Sequence, residues 1–280
     1  MTAGYHPWRP TRFLRLEAVY PTGAEASRVV TDGGLAYLKA IGNAGGEHLL
    51  ACELVGTQLA RWFGLPTLDW SILELTGEDE IPLKRGPAKP GPAFVTRAVH
   101  RVDWGGKADE LDRVENSDAI SMLVVFDTWT LNCDRHCDFR PANYDNVFLS
   151  GEGASRGHLK MLAADHTHCF TCGQDLTGRL ATINRVKDDR VYGLYPAFRT
   201  FLDRDVIKLA ASRLLQADEP TVRQFVDMIP SRWEVSHNAR KALVELVCGR
   251  ARHLADRIVD MLEPFVYSRN LFGDERKNEP

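Results

Sequence analysis

The sequence predicts an α+β chain of two lobes. A β-rich N-terminal lobe with one helix covers residues 1–98, a helical C-terminal lobe covers 99–272, and a ligand cleft lies between them. Short runs with turn residues between them fill the N-terminal part. After Tyr195 the pattern changes to long segments with three-to-four apolar spacing and few breakers. The length of 280 residues and the apolar fraction of 44% suffice for two lobes with real cores.

The elements follow in order. Residues 12–20 mix apolar and polar positions and run into the turn Pro21-Thr22-Gly23. Arg28-Val29-Val30 and residues 35–40 flank Asp32-Gly33 and read as a β-hairpin, because Asp-Gly accepts the positive backbone angles of tight turns. On its second strand Leu35, Tyr37 and Lys39 share one face, and Ala36, Leu38 and Ala40 the other. A glycine-rich break at 42–46 precedes a helix whose apolar face is Leu49, Cys52, Val55, Leu59 and Trp62. Glu53 lies beside that face, and Gly64 before Leu65-Pro66 terminates the helix. Residues 68–75 and 93–98 read as strands. The intervening 77–92, with four prolines and three glycines, reads as a flexible loop. Asn116 or Ser117 caps the next helix, which carries Ile120, Leu123, Val124, Phe126 and Leu131 and leads to Asp134. Residues 147–149 and 159–163 suit a hairpin. Helices are expected over 198–215, 221–228 and 236–262, and a disordered charged tail over 273–280.

Composition excludes several classes. The 35 basic and 38 acidic residues leave a net charge of −3, so direct nucleic-acid binding is not expected. No apolar run reaches the roughly 20 residues of a membrane span, and residues 1–15 lack the apolar core of a secretory signal. The expected address is cytoplasmic. Six cysteines in a chain this long do not make a disulfide scaffold.

The chemistry concentrates in Cys133-Asp134-Arg135-His136, Asp145-Asn146-Val147-Phe148-Leu149 and Leu162-Ala163-Ala164-Asp165. An Asn and an Asp supply the oxygen ligands magnesium prefers, and a further Asp can accept or orient a hydroxyl proton. Phosphoryl transfer from ATP also needs a lysine on the phosphates and an acid that holds it. Lys39, Glu53, Asp134, Asn146 and Asp165 meet these needs on the right kinds of element, and it is the set rather than any member that is specific. Backbone amides of Ala24, Glu25, Ala26 and Ser27, between the first two strands, are candidate phosphate contacts, since such contact needs no side chain. Residues 42–46 follow the lysine and read as a connector. Phe94 and Thr96, on the strand before the crossover, are candidate nucleotide contacts; Arg97 and Arg101 follow the crossover and either line the nucleotide pocket or, the preferred reading, lie on the surface.

These residues resemble the HipA-like kinases, distant relatives of the phosphatidylinositol kinases, from about Val29 to Leu262. The carriers are Tyr37-Leu38-Lys39, Glu53, Leu59-Ala60, Gly64-Leu65-Pro66, Asn132-Cys133-Asp134-Arg135-His136, Asp145-Asn146-Val147-Phe148-Leu149 and Ala164-Asp165-His166. Ile229-Pro230-Ser231-Arg232-Trp233 is similar to the compact single-domain branch of that family. The resemblance implies a two-lobe protein-kinase-like fold with its active site in the interlobe cleft. It implies that Lys39 binds the α- and β-phosphates of ATP, Glu53 pairs with Lys39, and Asp134 is the catalytic base. Asn146 and Asp165 would hold magnesium, and His136 would support the catalytic loop. It further implies a Ser or Thr hydroxyl on an unknown protein as acceptor, and raises an antitoxin-like partner and autophosphorylation at a residue such as Ser27. The loop before Asn146 is longer than the family pattern, which leaves Asn143 as an alternative ligand.

Three other readings stay open. Cys133, Cys137, Cys169 and Cys172, with His136, His166 and His168, are a soft-ligand set for a structural zinc ion, or else buried apolar thiols. A pseudokinase interaction module would keep the fold without transfer, against which the intact five residues argue. A small-molecule kinase would use the same Asp, Asn and Asp on another acceptor.

Overall fold

Strands β1 (Phe13–Val19), β2 (Ser27–Thr31) and β3 (Gly34–Lys39) form an antiparallel meander in a computed structural model that describes residues 8–20 and 23–266. The expected tail at 273–280 and the turn residues Pro21 and Thr22 lie outside the described residues. The β2–β3 turn closes at Thr31 opposite Gly34, and the positive φ sits on Gly34 (97°) rather than on Asp32 or Gly33. Asp32 instead uses its carboxylate to accept hydrogen bonds from the Thr11 and Arg12 amides, at 2.8 and 3.1 Å.

Helix α1 (Glu47–Trp62) follows, then β4 (Trp70–Leu75), the short β5 (Pro82–Leu83) and β6 (Gly86–Pro87), and β7 (Gly91–Arg97). The main sheet has five strands in the order β1-β2-β3-β7-β4, with every neighbour antiparallel. Its two faces separate as strand alternation requires. Ala36, Leu38 and Ala40 pack with Val29, Leu73 and Val95 in one apolar cluster, while Tyr37 and Lys39 face a cavity. Residues 77–92 are not the free loop their composition predicts. Ile81 and Ala88 are buried, and the Lys89 amide donates to Ile41 O at 3.0 Å.

The single apolar face expected of α1 is also corrected. Residues from Leu49 to Ala60 are buried without interruption, and Leu50, Leu54, Val55 and Phe63 share a core with Phe126, Trp129 and Leu246. The helix is a central pillar between the sheet and the helices that follow, which is why it is buried on every side, with Glu53 and Thr57 turned to the cavity.

The rest is helical apart from one hairpin. Helices α2 (Ala108–Leu111) and α3 (Asp118–Thr130) lead to the Asp134 loop. Strands β8 (Phe148–Ser150) and β9 (Lys160–Leu162) pair as a hairpin. Then come α4 (Ile183–Val186), α5 (Arg204–Leu214), α6 (Glu219–Asp227), α7 (His237–Ala255) and α8 (Ile258–Leu262). The long helix expected over 236–262 is interrupted at Asp256 and Arg257. Single bridges tie the β8–β9 hairpin to both sides of the cleft, Ala163 to Thr67 and Leu149 to Val102. Trp233 donates its indole N–H to Pro92 O at 2.8 Å, and Arg232 reaches Pro90 O at 2.9 Å, so the 231–233 turn clamps the start of β7. Among the described residues no helix is long and apolar enough to cross a membrane.

Candidate active site

A cavity of about 620 Å³ opens where β3, β7 and α1 face the β8–β9 hairpin. Strand alternation puts Tyr37 and Lys39 on its wall, and Phe94, paired opposite Lys39, joins Thr96 there. Lys39 Nζ lies 2.7 Å from Glu53 Oε2 and 3.1 Å from Asp165 Oδ1. Residues separated by 126 positions in the chain thus meet at one ammonium group.

The electrostatics follow from burial and pairing. For Lys39, burial opposes the charge, but Asp165 and Glu53 outweigh it and hold the ammonium above its usual range. For Glu53, burial is the strongest influence and pushes the carboxyl up, against the Lys39 charge and the His166 amide, which donates to Oε1 at 3.2 Å. For Asp165, burial also works upward, but Lys39 and the Thr167 hydroxyl outweigh it and keep the group below the usual carboxylate range. Asp165 adopts a left-handed φ of 56°, and its side chain stays 36% exposed toward the cavity.

Asn146 ends a short 3-10 turn (Tyr144–Asn146) and lines the cavity, whereas Asn143 does not. The Asn146 amide nitrogen donates to Asp134 Oδ2 at 2.7 Å, which leaves its oxygen for another partner. That oxygen and the Asp165 carboxylate are hard donors of the kind magnesium takes. Asp134 sits just beyond the cavity lining, one hydrogen bond past Asn146, with its side chain 23% exposed.

The candidate phosphate loop divides. Ala26 lines the cavity, but Ala24, Glu25 and Ser27 do not. Glu25, at a left-handed φ of 50°, turns its buried carboxylate away to accept the backbone amides of Ala44 and Lys84, which pins the loop to its neighbours. Ser27 is completely buried, so its hydroxyl is closed to the phosphoacceptor role considered for it. His136 lies beside the Tyr195 ring at 5.4 Å, and burial pulls its pKa down.

The soft-ligand set does not come together. Cys169 and His166 are buried beside each other at 3.9 Å, whereas the Cys133 thiol pairs with Cys172, and Cys137 bonds to Cys133 O at 3.4 Å. His168 turns toward Asp134. Among the described residues no group of three or more His, Cys, Asp and Glu is arranged to hold a metal ion, so the zinc reading has no support.

Sequence reasoning missed several lining residues. Tyr37 could have been found, since it alternates with Lys39, and Thr57 stands one helical turn beyond Glu53. Arg101, for which a surface role was preferred over a place in the pocket, lines the cavity over the Phe148 ring at 5.7 Å. Arg97 instead pairs with Asp69 and Glu152.

Comparisons with known proteins agree with this layout. The chain is similar in fold to a Helicobacter pylori proinflammatory kinase, CtkA, with a TM-score of 0.58 at 12% identity over 92% of this chain and 98% of that one. No curated protein matches the sequence. The sequence pattern of the HipA-like kinases matches residues 29–260, most of the chain, which therefore belongs to the HipA-like kinase family.

Proposed function

We propose that this kinase transfers the γ-phosphoryl group of ATP, with magnesium, to a Ser or Thr hydroxyl of a protein. The observation that carries the reading is Lys39 bonded to both Glu53 and Asp165 inside a cavity that Asn146 connects to Asp134. Lys39 would engage the phosphates, held upright by Glu53. The charge neutralisation that bound magnesium supplies to the triphosphate would come through Asn146 and Asp165. Asp134 would take the acceptor hydroxyl's proton as the new O–P bond forms and the bond to the β-phosphate oxygen breaks, releasing ADP.

A macromolecular acceptor is favoured by the position of Asp134. It stands outside the cavity lining, beside the exposed Arg140, whose guanidinium lies 3.8 Å from it. The test measures transfer of labelled γ-phosphate from ATP to lysate proteins, with unfolding followed by thermal shift. Mg·ATP should raise the unfolding midpoint more than ATP with a chelator. A well-folded protein that shows no shift with any nucleotide would defeat the proposal.

A further inference from the structure

We infer that His168 is a positioning residue that aims Asp134 at the acceptor. The inference rests on the kinase reading above and concerns a histidine considered until now only as a zinc ligand. Asp165, Thr167, His168, Asp134 and Asn146 form one continuous polar chain. The Thr167 hydroxyl donates to Asp165 Oδ1 at 2.8 Å. His168 Nδ1 lies 3.2 Å from that same hydroxyl oxygen and 3.3 Å from Asp134 Oδ2.

The proton inventory decides the tautomer. Thr167 has one hydroxyl proton, and Asp165 receives it, so Thr167 can only accept from His168. An ionised Asp134 can likewise only accept. A neutral ring therefore carries its proton on Nδ1, donated to Thr167, with Asp134 Oδ2 in polar contact beside it. Gly173 leaves the ring room at this position, since a Cβ there would stand 2.9 Å from Cδ2 and 3.0 Å from Nε2.

The consequence falls on Asp134. Its Oδ2 accepts from Asn146 at 2.7 Å and lies in polar contact with His168 Nδ1 at 3.3 Å, so that oxygen is engaged from two sides. Among the described residues Oδ1 faces only the Arg140 guanidinium, at 3.8 Å, and stays open to an incoming hydroxyl. His168 exchanges no proton in this arrangement; it fixes the carboxylate plane and selects the oxygen that works as base. It also links Asp134 to the segment that carries Asp165, so base and phosphate end are set together.

The test is a variant series read by ADP formation from Mg·ATP and by transfer of labelled γ-phosphate to lysate proteins. Asn places an amide N–H where Nδ1 was, and Gln places one where Nε2 was. His168→Asn should keep kcat within about threefold of wild type, whereas His168→Gln and His168→Leu should lose about 10- to 100-fold, the weight of a close polar contact to a charged group. KM for ATP should stay within about twofold throughout, because His168 does not line the cavity. Equal losses in the Asn and Leu variants, or a risen KM with kcat intact, would overturn the inference. Nitrogen-15 NMR of the nucleotide-free protein reads the tautomer independently of turnover. It should show Nδ1–H, with a resonance that moves in Asp134→Asn, and an Nε2–H tautomer would overturn the proposal even in an active enzyme. A wild-type protein without transfer would defeat the kinase reading alone, and the NMR result would still decide whether His168 holds Asp134.

Discussion

Arg135 lies wholly inside the protein with its guanidinium against the buried carboxylate of Asp127. The remaining nitrogens reach Asn146 O at 3.0 Å and the carbonyl of Ala164, the residue before Asp165. Asn132 adds a hydrogen bond to the same Asp127 oxygen at 3.0 Å. One ion pair anchored on α3 thus braces the backbone on both sides of the cavity. Only arginine's planar fork offers donors in these three directions. Arg135→Ala or Asp127→Ala should cost about 3–5 kcal/mol of stability, because each leaves a buried charge uncompensated. Urea unfolding checks this, and a loss below about 1 kcal/mol would show that the brace is dispensable.

Asp165 and Asp134 should separate binding from transfer. Asp165→Ala should abolish the magnesium-dependent part of the nucleotide thermal shift, since it removes a carboxylate that opens onto the cavity. Asp134→Asn should keep that shift while lowering transfer by about 10²- to 10⁴-fold, the usual contribution of a general base. Identical behaviour of the two variants would contradict the division of roles.

Gly56, in the middle of α1, sets helix propensity against packing. Alanine there would gain up to about 1 kcal/mol from propensity. Its Cβ would, however, stand 2.5 Å from His166 Cβ, an atom fixed to the backbone next to Asp165. Overpacking of this kind costs about 1–3 kcal/mol, so the net effect of Gly56→Ala should be destabilising. Nucleotide affinity should fall with it. A raised urea midpoint would refute this.

Cys172 should be the first thiol to react. The hydrogen bond from Cys133 is the main cause that lowers its pKa to about 7, with Arg140 helping, and it is half-buried rather than sealed. Cys52, buried in α1, is pushed up to about 12 by desolvation. Because the thiolate is the reactive form, iodoacetamide labelling of Cys172 should rise as pH climbs through about 7. Cys133→Ser should change that profile, and peptide mapping by mass spectrometry reads both. Labelling of Cys52 before Cys172 would contradict the assignment.

Local features were legible in the sequence because they depend on neighbours in the chain. The β2–β3 hairpin follows from alternation around Asp32-Gly33, and the end of α1 from Gly64, which takes a φ of 89°. Lys39 could be placed on the same strand face as Tyr37, and that face lines the cavity. The interruption of the last helix at Asp256 and Arg257 was not legible, because the apolar stripe continues across it from Leu254 to Ile258.

The sequence by itself determined most of the element types, the two-lobe division of strands and helices, and the presence of a lysine, acids and an asparagine suited to phosphoryl transfer. Spacing of apolar and turn residues acts within a few positions, so one chain carries it. Only the tertiary structure decided that α1 is buried on every side, that Glu25 turns away from the cavity, and that the cysteines divide instead of gathering. It alone aimed Arg135 at Asn146 and Ala164, and His168 at Asp134. These relationships join residues far apart in sequence, and their strength comes from desolvation and charge pairing, which exist only once the chain has closed around them.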